Sequence, residues 1–153
     1  MSQIDNNIWI GNVGDASNGQ FLKDNSITHI LCCAEEFKNP PGFLYVNGKT
    51  DQWHYLPIVD DMADSKTEAQ FREGAKKLND WLNAGHKVIV HCFAGISRSV
   101  STVITYYMLY KGWSYDLAFL HIKSKRKQIN PHPNYIPILK GLSSQQAQDE
   151  ENA

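Results

Sequence analysis

The chain has 153 residues, 42% of them hydrophobic and 20% charged, which fits one globular domain around one core. A formal net charge of −1 gives no global field toward nucleic acid or an anionic membrane, so neither is an expected partner and any anion site must be local. No apolar run follows basic residues at the start and none approaches spanning length, so neither a secretory signal nor a membrane segment is expected.

Residues 8–12 read as a short strand closed by a turn. Residues 15–25 predict a short helix, with Phe21 and Leu22 inward and Gly19 weakening its middle. Residues 27–33, β-branched and apolar, are the second strand. His29 reads as a strand residue at a sheet edge, not a catalyst. Cys32 and Cys33 read as core; capture of an oxidised Cys92 as a disulfide by one of them is the alternative. Three cysteines with two adjacent make a poor disulfide framework and lack zinc-site spacing, which points to a reducing compartment: the cytoplasm, with the nucleus as a second location.

Residues 38–51 carry Pro40, Pro41, Gly42 and Gly48 and predict a loop enclosing a brief strand at 43–46; it is either a binding element or surface padding. Residues 53–58 return to strand and 59–64 form an acidic loop. Ser65 or Thr67 caps the next helix, whose stripe is Phe71, Ala75, Leu78, Trp81 and Leu82 and whose end is Gly85. Ser114 starts a later helix with Leu117, Leu120, His121 and Ser124 on one face. Its basic end, residues 123–127, is a dipole-pairing solvated face or a substrate-docking patch in equal measure. Pro133 suits the first turn of a last helix through Ile136, Leu139 and Leu142, with Pro137 in or near that turn. Residues 143–153, polar and acidic, predict a disordered tail.

One stretch organises the rest. Val88, Ile89 and Val90 form a buried strand, and Val100, Val103, Ile104, Tyr107 and Met108 recur at helical spacing up to Lys111, where Gly112 stops the helix. Between them lies HCFAGIS, with Cys92 where the strand stops and Arg98 where the helix begins. Backbone N–H groups of such a turn converge on one concavity, and the helix dipole adds positive charge there. That suits a tetrahedral oxyanion, and the same field favours a thiolate at Cys92. Arg98 holds two oxygens with its planar fork. A core cysteine needs no Gly three residues on and no Arg six residues on.

The pattern His91-Cys92, five residues, Arg98-Ser99 resembles the signature of the cysteine-based protein tyrosine phosphatase superfamily, and HCFAGISRS resembles its dual-specificity branch, in the small single-domain form. The opening of the chain is similar too: strand, Gly11, short helix, then Ile27-Thr28-His29-Ile30-Leu31. Pro133-Asn134-Tyr135 also matches, whereas Pro137 and Lys140 depart from the usual Phe and Gln, which bears on the last helix's packing. The resemblance implies an α/β catalytic domain over residues 1–142, with a central mixed sheet of about five strands, helices on both faces and the ligand at the strand ends.

It also implies a mechanism. Cys92 attacks a phosphomonoester in line. Arg98 and the amides of Phe93, Ala94, Gly95, Ile96 and Ser97 hold the equatorial oxygens. Ser99 donates to the sulfur, His91 orders the loop, Phe93 and Ile96 line the rim, and no metal or other cofactor is needed. The leaving oxygen needs a proton from a carboxyl on a mobile loop. The family's acid follows the strand's Pro by three residues, which gives Asp60; counting back from Phe71 favours Asp61, and Asp64 reads as loop solvation. Asp60 is preferred, because the strand fixes the loop's exit more directly. The implied substrate is a phosphorylated protein, at tyrosine and at serine or threonine. Phosphoinositide is disfavoured because the loop holds no Lys, and an RNA 5′ end by the weak charge. A phosphoprotein-binding module without turnover is the remaining alternative.

Overall fold

The computed structural model describes residues 1–46 and 48–142, so the expected tail at 143–153 lies outside the described residues. Among the described residues five short strands make one sheet: β1 (Ser2–Asp5), β2 (Ile8–Gly11), β3 (His29–Cys32), β4 (Trp53–Tyr55) and β5 (Val88–His91). Their spatial order is β1-β2-β5-β3-β4, with β1 antiparallel to β2 and every other pair parallel. The expected mixed sheet of five strands is what forms, and β5 is its centre.

Side-chain alternation sorts the strands' apolar residues onto two faces. Ile8, Ile10, Leu31, Val88 and Val90 join the larger core. Trp9, Ile30 and Ile89 point the other way into a smaller one. The larger core is covered by α4 (Thr67–Asn83), α5 (Arg98–Lys111), α6 (Tyr115–Lys125) and α7 (Ile136–Lys140). Residues of α1 (Val13–Ala16), α2 (Gly19–Asp24) and α3 (Gly42–Val46) close the smaller one. Helix α5 follows β5 directly and is buried without a break from Arg98 to Leu109, so the segment that carries the signature is also the middle of the domain. Gly112 ends α5 in the left-handed conformation, φ 70°, as its position predicts.

Several local expectations are corrected. The helix expected over 15–25 is two. Asn12 caps α1, and Asn18 accepts from the Phe21 N–H to start α2 afresh. Phe21 is exposed and only Leu22 is buried. Residues 43–46 are helical, not a strand. Leu44 is buried in the smaller core and Phe43 packs beside it; a strand would send these neighbours to opposite faces. Strand β4 stops at Tyr55: Leu56 still donates to Cys32 O at 2.8 Å, but beyond it the Ile58 N–H turns back to Leu56 O at 2.8 Å. Neither Ser65 nor Thr67 caps α4. Lys66 holds the cap position, and the Thr67 hydroxyl instead accepts from the Asp64 N–H at 2.9 Å. Pro133 lies ahead of α7, and Pro137 takes the first-turn place. Strand β1 has no counterpart in the sequence reading, because three of its four residues are polar and only Ile4 is buried.

His29 is buried on β3, an interior strand between β5 and β4 and not a sheet edge. Its ring stacks on His86, centroids 3.9 Å apart, and meets Trp81 edge-on. Burial, helped by His86, pushes His29 down to about 4, and burial does the same to His91. The fold therefore holds both rings neutral, while the unfolded chain takes up their protons near pH 6.5. Their contribution to stability is complete above that pH and is lost as pH falls toward about 4. Thermal melts between pH 7 and pH 4.5 should show this decline, and His29→Phe should flatten part of it. An unchanged slope in the variant would count against the assignment.

Candidate active site

The carboxyl ends of β2, β3 and β5 meet where α5 begins, the usual crevice of a parallel α/β sheet. Cys92 follows β5 and is 3% exposed. The loop from Cys92 to Ser97 has all its carbonyls held from outside. Cys92 O accepts from His91 Nδ1 at 3.1 Å, and Phe93 O from the Val13 N–H of α1 at 3.0 Å. Arg126 donates through Nη2 to Ala94 O at 3.2 Å and through Nε to Gly95 O at 2.8 Å. Ile96 O accepts from the Asn130 N–H at 2.9 Å and Ser97 O from the Ser101 N–H at 2.8 Å. In a planar trans peptide the N–H points opposite to its carbonyl. The N–H groups of residues 93–98 are thereby turned inward. They meet at a cleft of about 110 Å³ lined by Asp60, Cys92, Phe93, Ala94, Ile96, Ser97 and Arg98. Gly95, at φ 69°, is required, since a Cβ there would lie 2.5 Å from the Gly11 carbonyl oxygen.

Arg98 is 1% exposed, and its donors divide by edge. Nη1 and Nη2 donate to the two carboxylate oxygens of Glu36 at 2.6 and 2.8 Å, and Nη1 also reaches Ile58 O at 3.1 Å. The guanidinium has five N–H groups, so Nε and the second hydrogen of Nη2 are left for a ligand on the other edge. Nε lies 3.5 Å from Asp60 Oδ1. Burial works against the charge on Arg98, but Glu36, Cys92 and Asp60 more than offset it, so the cation is held more firmly than usual. The hydrogen bond from Arg98 in turn holds the Glu36 carboxyl below its ordinary range.

Ser99 Oγ is 3.3 Å from Cys92 Sγ. Since His91 is held neutral and a carbonyl only accepts, Nδ1 carries the proton it gives to Cys92 O. Asp60 lines the cleft; Asp61, at φ 59°, turns away toward His132 Nε2 at 3.9 Å. Asp64 organises the turn into α4, its Oδ1 accepting from the Lys66 N–H at 2.8 Å. Cys32 and Cys33 are buried, and burial pushes the Cys32 thiol up to about 11 and that of Cys33 well above its ordinary value. Among the described residues, no group of three or more His, Cys, Asp and Glu side chains could hold a metal ion.

Two functional side chains escape the sequence reading. Glu36 stands just past the end of β3, beside β5; an arginine bound for a buried site needs a counter-charge, and a carboxylate pair there was the available signal. Arg126 sits inside the basic run read as a solvated face or docking patch. It is 5% exposed and gives its third contact to Ser2 Oγ at 3.0 Å. On α6, which ends just before it, Ala118 and Ile122 are buried, while Leu117 and Leu120, on the face that the spacing picks out, are exposed.

A ring of amides that presents a tetrahedral anion to a sulfur nucleophile is the working part of a cysteine-dependent phosphatase. The family model described as "Dual specificity phosphatase, catalytic domain" matches residues 8–145, and the chain belongs to that family. It is 33% identical over 140 residues to dual specificity protein phosphatase 1B of Arabidopsis thaliana, covering 91% of this chain and 79% of that one. Over 152 residues it is 34% identical to dual specificity protein phosphatase 1 of the same plant, covering 97% and 72%. The crystal structure of DUSP15 superposes with a TM-score of 0.77 at 28% identity, over 99% of this chain and 94% of that one.

Arg126 gives the cradle a test. Arg126→Met keeps much of the buried stem but frees the carbonyls of Ala94 and Gly95. Each hydrogen bond from a charged donor contributes about 1.5–3 kcal/mol, so vanadate affinity and kcat/KM should fall about 10- to 100-fold. Losing loop order should cost good and poor leaving groups alike. Unchanged vanadate binding in the folded variant would show that the loop keeps its shape unaided.

Proposed function

We propose that the chain removes phosphate from phosphotyrosine and from phosphoserine or phosphothreonine of proteins through a phosphocysteine on Cys92. The family carries protein phosphatase activity, and phosphoproteins are its substrate class. The observation that supports the roles below is the convergence of the Cys92 sulfur, the free edge of Arg98, the inward amides and the Asp60 carboxyl on one cleft.

In the first step the Cys92 thiolate attacks phosphorus and forms the S–P bond as the P–O bond to the substrate breaks. The leaving oxygen takes the Asp60 proton. In the second step water attacks phosphorus, its proton goes to the Asp60 carboxylate, and the S–P bond breaks to return the thiolate and free phosphate. Arg98 and the loop amides stabilise the charge on the equatorial oxygens in both steps. Ser99 donates to the departing sulfur. His91, held neutral, fixes the loop and takes no proton.

Breadth of substrate is supported by the small cleft, about 110 Å³, and by the aromatic residue at its edge. Loop and acid line it, and Phe93 lies exposed at its lip, stacked beside Phe37 with centroids 6.3 Å apart. A short phosphoserine side chain can reach such a site, and a phosphotyrosine ring can rest on the aromatic lip. No Lys stands in the loop to favour a polyanionic headgroup. A reducing compartment, the cytoplasm or nucleus, goes with a catalytic thiolate.

Cys92→Ser should abolish turnover while vanadate binding stays largely intact, because the hydroxyl is not ionised near neutral pH and the cradle remains. More than trace activity would sink the covalent route. Asp60→Asn should cost about 10²- to 10⁴-fold on an alkyl phosphate, and far less on an ester whose phenol leaves without a proton. Asp61→Asn is the control. If it shows the leaving-group dependence instead, the acid is Asp61.

A further inference from the structure

Three carbonyls around Asp60 are held from outside its loop. Arg98 Nη1 donates to Ile58 O at 3.1 Å, the Tyr135 hydroxyl donates to Val59 O at 2.7 Å, and Asn134 Nδ2 donates to Asp61 O at 2.8 Å. Two of these donors are adjacent residues just ahead of α7, and they hold the carbonyls on either side of Asp60. Tyr135 is fully buried, and its ring meets Phe71 of α4 edge-on with centroids 5.3 Å apart. The hydroxyl's place is therefore set by the core. Burial pushes Tyr135 up to about 12, so it remains a hydrogen-bond donor at any working pH. Beyond Asp60 the chain turns left-handed at Asp61, which sends the second carboxyl toward His132 and leaves the first facing Cys92 and Arg98.

We propose that Tyr135, together with Asn134, is a positioning residue for the acid: the pair locks the loop so that Asp60 stands over the cleft before substrate arrives. The acid then belongs to a fixed loop, where the sequence reading expected a mobile one. The inference rests on the reading of Asp60 as proton donor. The fixing contact is the tyrosine hydroxyl, which a phenylalanine at the same place lacks while packing the same way against Phe71. Its loss should therefore leave the cradle and the sulfur untouched and blunt only the delivery of the proton.

Tyr135→Phe keeps the ring and removes the donor. Losing one net hydrogen bond should lower kcat/KM on an alkyl phosphate roughly 3- to 10-fold through kcat, with KM and vanadate binding unchanged. On an ester with an acidic phenol the rate should hardly change. In the Asp60→Asn background Tyr135→Phe should add no further loss, since residues that act through one group do not multiply. Asn134→Ala, an exposed position, should repeat the pattern and guards against a folding defect at 135. Equal losses on both esters, or losses that multiply with Asp60→Asn, would overturn the proposal and leave Tyr135 a packing residue. If Asp60→Asn alone shows no leaving-group dependence, the acid assignment fails first, and that result is distinct from a failure at Tyr135.

Discussion

Each carbonyl from Cys92 to Ser97 has a donor waiting for it outside the cleft, and this is what makes the inside positive. No lysine and no metal ligand set is spent on the loop. The charge comes from peptide groups whose orientation is forced by planarity once their oxygens are held. The donors come from far apart in the chain: the first turn of α1, Arg126 after α6, and Asn130 in the segment that follows. The loop's shape is therefore a property of the whole domain. The sheet brings β2 and α1 to one side of the loop, and α6 delivers Arg126 to the other.

Arg98 poses the opposite problem. It brings a full charge into a site where it is almost completely buried, and an unpaired buried charge is strongly destabilising. Glu36 meets that demand on one edge of the guanidinium and leaves the other edge to the ligand. The two roles could not share an edge, because a carboxylate and a phosphoryl group would compete for the same parallel N–H pair. Glu36 stays partly in water, so its own desolvation is small while Arg98 carries the burial. A lysine in place of Arg98 would have one charged head for both partners.

What the sequence made legible was local and continuous. The β-branched run 88–90, the helical spacing after Arg98 and the stop at Gly112 all lie within one stretch and survive unchanged in β5 and α5. The mixed sheet with helices on both faces came with the resemblance to the family and is the architecture that forms. What stayed hidden depends on long-range contact. Arg126 looks like its lysine neighbours until Gly95 is brought against it. Glu36 looks like Glu35 until β3 pairs with β5. The 43–46 segment has strand-like composition, and only the presence of a second sheet face to cover makes a helical turn the better solution. Asp60 and Asp61 are one residue apart in sequence, and a left-handed turn separates their directions in space. Pro137, and not Pro133, stands in the first turn of α7, and ahead of it Asn134 and Tyr135 are bonded to Asp61 O and Val59 O.

If main-chain amides and Arg98 hold the phosphoryl group as proposed, the side chains of Phe93, Ala94 and Ile96 carry no part of its charge balance. Phe93 is exposed and Ile96 half-buried at the edge of the cleft, whereas Gly95 is fixed by the Gly11 carbonyl and Ser97 by the hydrogen bond it accepts from the His132 N–H. A change at 93 or 96 alters which surface can settle against the enzyme without altering the reaction beneath it. The lip and the cradle are thus separable parts. Preference among phosphoproteins can drift at those two positions and at Phe37 while the chemistry stays constant.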